Sequence, residues 1–136
     1  TMIKPNSHEF ARLVGKVCES DADFIQAGQE FLRNGIEMIM ISMGARGLLI
    51  FNKKEAYKVT PPKVEVQSTI GSGDSTLAAF MLGQECQKDL AESAIMGVAA
   101  GAATAMSHGV ELVDATDYYA LLSEVKCEAI TLSGVV

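Results

Sequence analysis

Ile36–Ser42 is the stretch that most limits what this chain can fold into. It is seven residues long, rich in Ile and Met, and lacks the polar alternation of a strand with one wet face. Such a segment reads as a strand buried on both faces, which requires covering layers above and below it. Helical patterns stand ready to supply them. Asn6 and Glu9 have the spacing of a capping box, opening a helix through about Val17. Phe24, Ala27, Phe31 and Leu32 recur at helical spacing over Ala22–Asn34, with Gly35 at the cap position.

Strands dominate the next section. Gly47–Phe51 and Ala56–Thr60 read as a hairpin around Asn52-Lys53-Lys54-Glu55, and Val64–Val66 as a short alternating strand after Pro61-Pro62. Helices return over about Ser75–Cys86, from Asp89 to about Met106, and from Asp114 through about Val125. Thr1–Lys4 resembles the end of a strand broken by Pro5, and Cys127–Leu132 an edge strand. The order β-α-α-β-β-β-β-α-α-α-β intermixes helices with buried strands, so the expected class is a layered α/β fold.

Composition removes several functions. The chain has 136 residues, 49% hydrophobic and 21% charged, as in one ordinary globular domain with no linker or repeat. A chain of that length buries a core without a disulfide or metal staple. Its net charge is −6 and no basic stripe stands out, which argues against a nucleic-acid partner. Two histidines, His8 and His108, leave little for a zinc site or Ser-His-Asp chemistry. Cys18, Cys86 and Cys127 make no C-x-x-C pair and read as reduced thiols, mostly packed in cores, of a cytoplasmic protein. No signal peptide or membrane span is visible. The longest apolar run, Ala94–Met106, reaches only about 20 Å as a helix, against the roughly 30 Å of a bilayer core. It reads as a buried helix whose Gly97 and Gly101 admit a close neighbour.

Gly71-Ser72-Gly73-Asp74 sits at a turn-to-helix junction. Two glycines allow backbone geometry in which successive amides converge, and a helix start adds its own unpaired amides and positive dipole end. Together these form a pocket for an anion. Asp74 would repel a resting phosphate, but it suits a reaction in which a carboxylate takes the proton of a hydroxyl attacking that phosphate. The same four residues also read as a capped loop. They are not a nucleophile elbow, a Walker A loop or a dinucleotide fingerprint, because Ile70, Asp74 and Thr76 stand where those motifs need glycine and no Gly-Lys-Ser/Thr occurs. Asn6–Glu9 and Ser42–Gly47 each follow a strand, where open α/β sheets bind ligands. Alone, the first also reads as a plain capping box and the second as a hairpin turn.

Lys4-Pro5-Asn6-Ser7-His8-Glu9, Ser42-Met43-Gly44-Ala45-Arg46-Gly47 and Ser68-Thr69-Ile70-Gly71-Ser72-Gly73-Asp74-Ser75, in that order, resemble the C-terminal half of the PfkB carbohydrate kinases, the ribokinase-like family. The resemblance covers essentially the whole chain. It is strongest to the phosphosugar branch of tagatose-6-phosphate kinases and 1-phosphofructokinases, and Gly97–Gly101 with Ala105-Met106 leans the same way. It implies a ribokinase-like α/β fold and an ATP-dependent phosphoryl transfer to a hydroxyl of a ketohexose phosphate, giving a bisphosphate.

By that resemblance Asp74 is the general base, and Gly71, Ser72 and Gly73 offer amides to the moving phosphoryl group. Asn6 and Glu9 organise Mg²⁺ around the ATP phosphates, with Lys4 nearby. Ser42, Gly44 and Gly47 line the phosphate and ribose, and the helix around Ala100–Thr104 floors the adenine. Ser68 stands where ribokinase-branch enzymes carry an aspartate that helps bind a monovalent cation, so that cation is in question. The sugar-binding and lid residues of the family belong to an N-terminal half that these residues do not include. The chain therefore reads as a piece of one about twice as long, inactive by itself and prone to associate, as a homodimer or through the surface the other half would cover. Two other readings stay open: a noncatalytic nucleotide-binding or assembly module, and a ribokinase-like kinase of another alcohol.

Overall fold

The computed structural model describes residues 1–107 and 114–132. In chain order the elements are β1 (Met2–Ile3), α1 (Ser7–Val14), α2 (Asp21–Arg33), β2 (Met38–Ser42), β3 (Leu48–Phe51), β4 (Ala56–Thr60), α3 (Ser72–Glu85), α4 (Leu90–Met106), α5 (Ala115–Leu122) and β5 (Lys126–Ile130). A single 3-10 turn, Gly44–Arg46, lies between β2 and β3. The strands form one mixed sheet in the order β1-β2-β3-β4-β5. β1 runs parallel to β2, with Met2 opposite Met38, and β2 runs antiparallel to β3, from Ile39 opposite Phe51 to Ser42 opposite Leu48. The α/β class expected from the sequence is the class observed.

The chain divides into two compact units, Thr1–Lys58 with Glu128–Val136, and Val59–Cys127. In the first, Ile39, Met40 and Ile41 of β2 are buried, as are all four residues of β3. Phe10 of α1 and Phe24, Ile25 and Leu32 of α2 join Ile39, Ile41, Leu49 and Phe51 in one apolar core. Each side chain of this size contributes roughly 1.5–3 kcal/mol when fully buried. α1 is shorter than its pattern suggests. It ends at Gly15, whose left-handed φ of 65° turns the chain out of the helix before Val17. α2 has a capping box that the apolar spacing does not reveal, with Ser20 and Asp23 bonding each other's backbone amides.

In the second unit α3 packs on α4. A Cβ added at Gly97 would sit 2.7 Å from the Thr76 carbonyl oxygen, and one at Gly101 would meet the Thr76 hydroxyl and lie 3.2 Å from the Ser72 carbonyl oxygen. The two glycines therefore admit the α3 backbone, the packing role expected of them. Ala99, Ala102 and Ala103 on α4 close a second apolar core with Leu121 of α5.

Two expectations are corrected. Val64–Val66 is not a strand. The chain there finds no strand to pair with, and the following amides of Gln67 and Ser68 both donate to the Ala105 carbonyl at the end of α4. The cysteines are not fully buried: Cys86 is exposed, and Cys18 and Cys127 are half-buried, with Cys18 packed against the first core. Among the described residues no helix is long and apolar enough to cross a membrane.

Candidate functional site

Within the first unit, two of the segments singled out in the sequence lie together. They leave the carboxyl ends of the neighbouring parallel strands β1 and β2, where Asn6 bridges to Ser42 and the Ser42 amide donates to the Pro5 carbonyl at 3.1 Å. Lys4 is exposed just after β1. Asn6 and Glu9 complete the expected capping box: the Glu9 amide donates to Asn6 Oδ1 at 2.8 Å, and the Asn6 amide to Glu9 Oε1 at 3.0 Å. Both side chains are exposed, and Glu9 keeps its second carboxylate oxygen outside the box. Gly44 opens the 3-10 turn and Gly47 caps it, with φ of 60° and 92°, and the Met43 amide closes the turn onto the Gly47 carbonyl at 2.8 Å. Lys58 steadies this loop, with its Nζ 3.1 Å from both Asp21 Oδ1 and the Met43 sulfur.

The glycine turn belongs to the second unit. Gly71 is the N-cap of α3, with φ 80° and ψ −4°, a left-handed conformation that costs a residue with a Cβ roughly 1–2 kcal/mol. Gly73 lies inside the helix, so only the first glycine of the pair has positive φ. The helix starts at Ser72, three residues ahead of its apolar pattern, because the Ser75 amide already donates to the Gly71 carbonyl at 2.9 Å.

α3 differs from the other helices at its start. α1, α2, α4 and α5 have Asn6, Ser20, Asp89 and Asp114 as caps, each accepting an amide of the first turn. At α3 the cap is a glycine and no side chain fills the place. The Ser72 amide donates to the Thr69 carbonyl at 3.3 Å, while the Gly73 and Asp74 amides find no acceptor among the described residues. Helix-start amides of this kind, with the positive dipole end behind them, favour an anion. The Asp74 carboxylate is exposed, and the hydrogen bonds of the described residues do not use it. Glu9 and Asp23, at the equivalent third position, each reach back to the cap amide. Asp74 is thus no cap by hydrogen bonding.

Ala100 and Thr104, expected under an adenine, are each 4% exposed. The Thr104 hydroxyl donates to Ser75 Oγ at 2.7 Å. Ser75 escaped the sequence reading. Its signal is Thr104 itself, a polar side chain on the helix face of Gly97 and Gly101, buried where it faces α3 and needs a hydrogen-bond partner. Among the described residues no group of three His, Cys, Asp or Glu side chains could hold a metal ion.

The fold is ribokinase-like, as its likeness to solved structures shows. Ribokinase from Thermotoga maritima superposes with a TM-score of 0.77 at 25% identity, over 90% of this chain and 42% of that one. Phosphofructokinase-2 from Escherichia coli, solved in complex with potassium, superposes with a TM-score of 0.82 at 31% identity, over 90% of this chain and 40% of that one. The chain belongs to the pfkB family of carbohydrate kinases, whose pattern it matches over residues 1–116. It is 34% identical over 125 residues to the 1-phosphofructokinase of Bacillus subtilis (strain 168), which covers 92% of this chain. It spans 41% of the length of that relative.

Proposed function

We propose that this chain is the nucleotide-binding, base-bearing part of a longer kinase that moves the γ-phosphoryl group of ATP to a hydroxyl of a ketohexose phosphate. The observation that carries the reading is the start of α3, where unpartnered amides of Gly73 and Asp74 stand beside a carboxylate that no cap uses. In the reaction Asp74 takes the proton of the sugar hydroxyl as its oxygen bonds to the γ-phosphorus. The bond to the β–γ bridging oxygen breaks, and ADP leaves with that electron pair. Phosphoryl transfer of this kind depends on positioning and on stabilising charge at the moving group. The amides of Gly73 and Asp74 do the latter, with the turn of Gly71 and Ser72 setting their direction.

Lys4, Ser42, Gly44 and Gly47 serve the phosphate and ribose side of the nucleotide, and Ala100 backs the adenine side, while the Thr104 hydroxyl is taken up by Ser75. Mg²⁺ is expected with the nucleotide, where it offsets phosphate charge. Mg²⁺ keeps several waters and takes one or two carboxylates rather than a full protein cage. The free oxygen of Glu9 fits that role with Asn6 beside it. Fructose 1-phosphate is the favoured substrate, since the Bacillus subtilis relative is named 1-phosphofructokinase. Tagatose 6-phosphate is the second choice. A monovalent cation belongs in the assay because the Escherichia coli relative was solved with potassium. A cytoplasmic location, and association as a homodimer or with the rest of the polypeptide, complete the reading.

The test is steady-state turnover of the full-length protein with Mg-ATP and a panel of ketose monophosphates, with and without potassium. Turnover is expected, greatest on fructose 1-phosphate. The 136-residue chain alone should bind Mg-ATP weakly and turn over none of the panel. A full-length protein that binds ATP yet phosphorylates no member of the panel is a nucleotide-binding module or a kinase of another alcohol.

A further inference from the structure

Helix-interior Thr and Ser ordinarily donate to the carbonyl four residues back. Thr76 does so, to Ser72 at 2.9 Å, and Ser107, the residue just past α4, makes the same kind of bond to Ala103 at 3.4 Å. Thr104 does not. Its hydroxyl crosses from α4 to α3 and meets Ser75 Oγ at 2.7 Å. The site is 4% exposed, so a valine would fill it without any need for a partner. Ser75 is also the residue whose amide closes the first turn of α3 onto the Gly71 carbonyl at 2.9 Å. The methyl group of Thr104 lies 3.9 Å from where a Cβ of Gly71 would be, which places the side chain on the cap-residue side of the turn. Gly101, one turn earlier on α4, brings Thr76 and the Ser72 carbonyl close enough for this bridge to form.

We propose that Thr104 is a positioning residue: from α4 it fixes the turn Gly71–Asp74 through its hydroxyl on Ser75. The inference rests on the reading that this turn holds the transferring phosphoryl group, and it assigns Thr104 to the turn rather than to the adenine. Asp74 is the residue next to Ser75, so a turn fixed at Ser75 also fixes the base and the two unpartnered amides.

Two variants remove the hydrogen bond from either end, and a third keeps it. Thr104→Val keeps the shape and loses the hydroxyl, whereas Thr104→Ser keeps the hydroxyl. Ser75→Ala removes the acceptor, leaving Thr104 its own Ala100 carbonyl as an alternative. Amide hydrogen exchange on the chain reads the turn without any need for activity. With one hydrogen bond of ordinary strength lost, exchange at Ser72 and Ser75 should rise about fivefold to tenfold in Thr104→Val and in Ser75→Ala. Exchange at Val98 and at Ile50 should stay at the parent rate, and Thr104→Ser should behave as the parent. In the full-length enzyme Thr104→Val should lower kcat by about tenfold, with KM for ATP nearly unchanged. Unchanged exchange at Ser75 in both Thr104→Val and Ser75→Ala, or a rise equal at Val98 and Ser75, overturns the proposal. Local loosening in a protein that phosphorylates no sugar overturns the kinase reading and leaves the positioning role standing.

Discussion

At Gly71 the backbone alone decides which residue is tolerated. Its φ of 80° is left-handed, and an added Cβ would meet nothing closer than Thr104 Cγ2 at 3.9 Å, an ordinary contact. Gly71→Ala should therefore cost about 1–2 kcal/mol through backbone strain and not through a clash, read as a fall in the urea midpoint. Asp74 presents the opposite case, a side chain that the fold does not use. The glycine spacing made both residues legible in the sequence. It did not show that Gly73 is already helical, because Ser, Gly and Asp are weak helix formers and the apolar period begins only at Ser75. What admits them is the Ser75-to-Gly71 hydrogen bond, which no pattern displays.

Between elements, the close contact of α3 and α4 depends on Gly101. A methyl group there would press on the Thr76 hydroxyl and the Ser72 carbonyl. Gly101→Ala should cost about 1–3 kcal/mol, as overpacking does, and should loosen the first turn of α3 in amide exchange. At α2, the amides of Glu19 and Ser20 hold the Asp23 carboxyl below its usual range. A lowered native pKa adds stability above the unfolded value, lost as pH falls through the native one. Asp23→Asn should thus lower the urea midpoint at neutral pH, with the deficit shrinking below about pH 4. The box at Asn6 was legible because cap and third residue bracket the start of an apolar pattern. Val64–Val66 misled because alternation over three residues records side-chain polarity, whereas a strand needs a neighbour to pair with.

For the whole molecule, two units with separate cores mean that damage to one need not spread evenly. Leu49 is fully buried in the first core. Leu49→Ala should cost about 2–5 kcal/mol, with amide exchange rising in β2 and β3 well before it rises in α4. The α/β class was legible from the intermixed order of helices and buried strands, while the division at Lys58 was not, since no change of composition marks it. The chain spans 41% of the length of its Bacillus subtilis relative, so the proposed chemistry is tested in the full-length protein. Whether Asp74 is the base is decided by steady-state kinetics of Asp74→Asn in the full-length protein, with fructose 1-phosphate and tagatose 6-phosphate. Loss of a positioned base predicts a kcat lower by about 10²–10⁴-fold, with KM for ATP little changed because asparagine is nearly isosteric. A kcat within about threefold of the parent on the better substrate, far short of a general base's usual contribution, would contradict the account and place the base elsewhere.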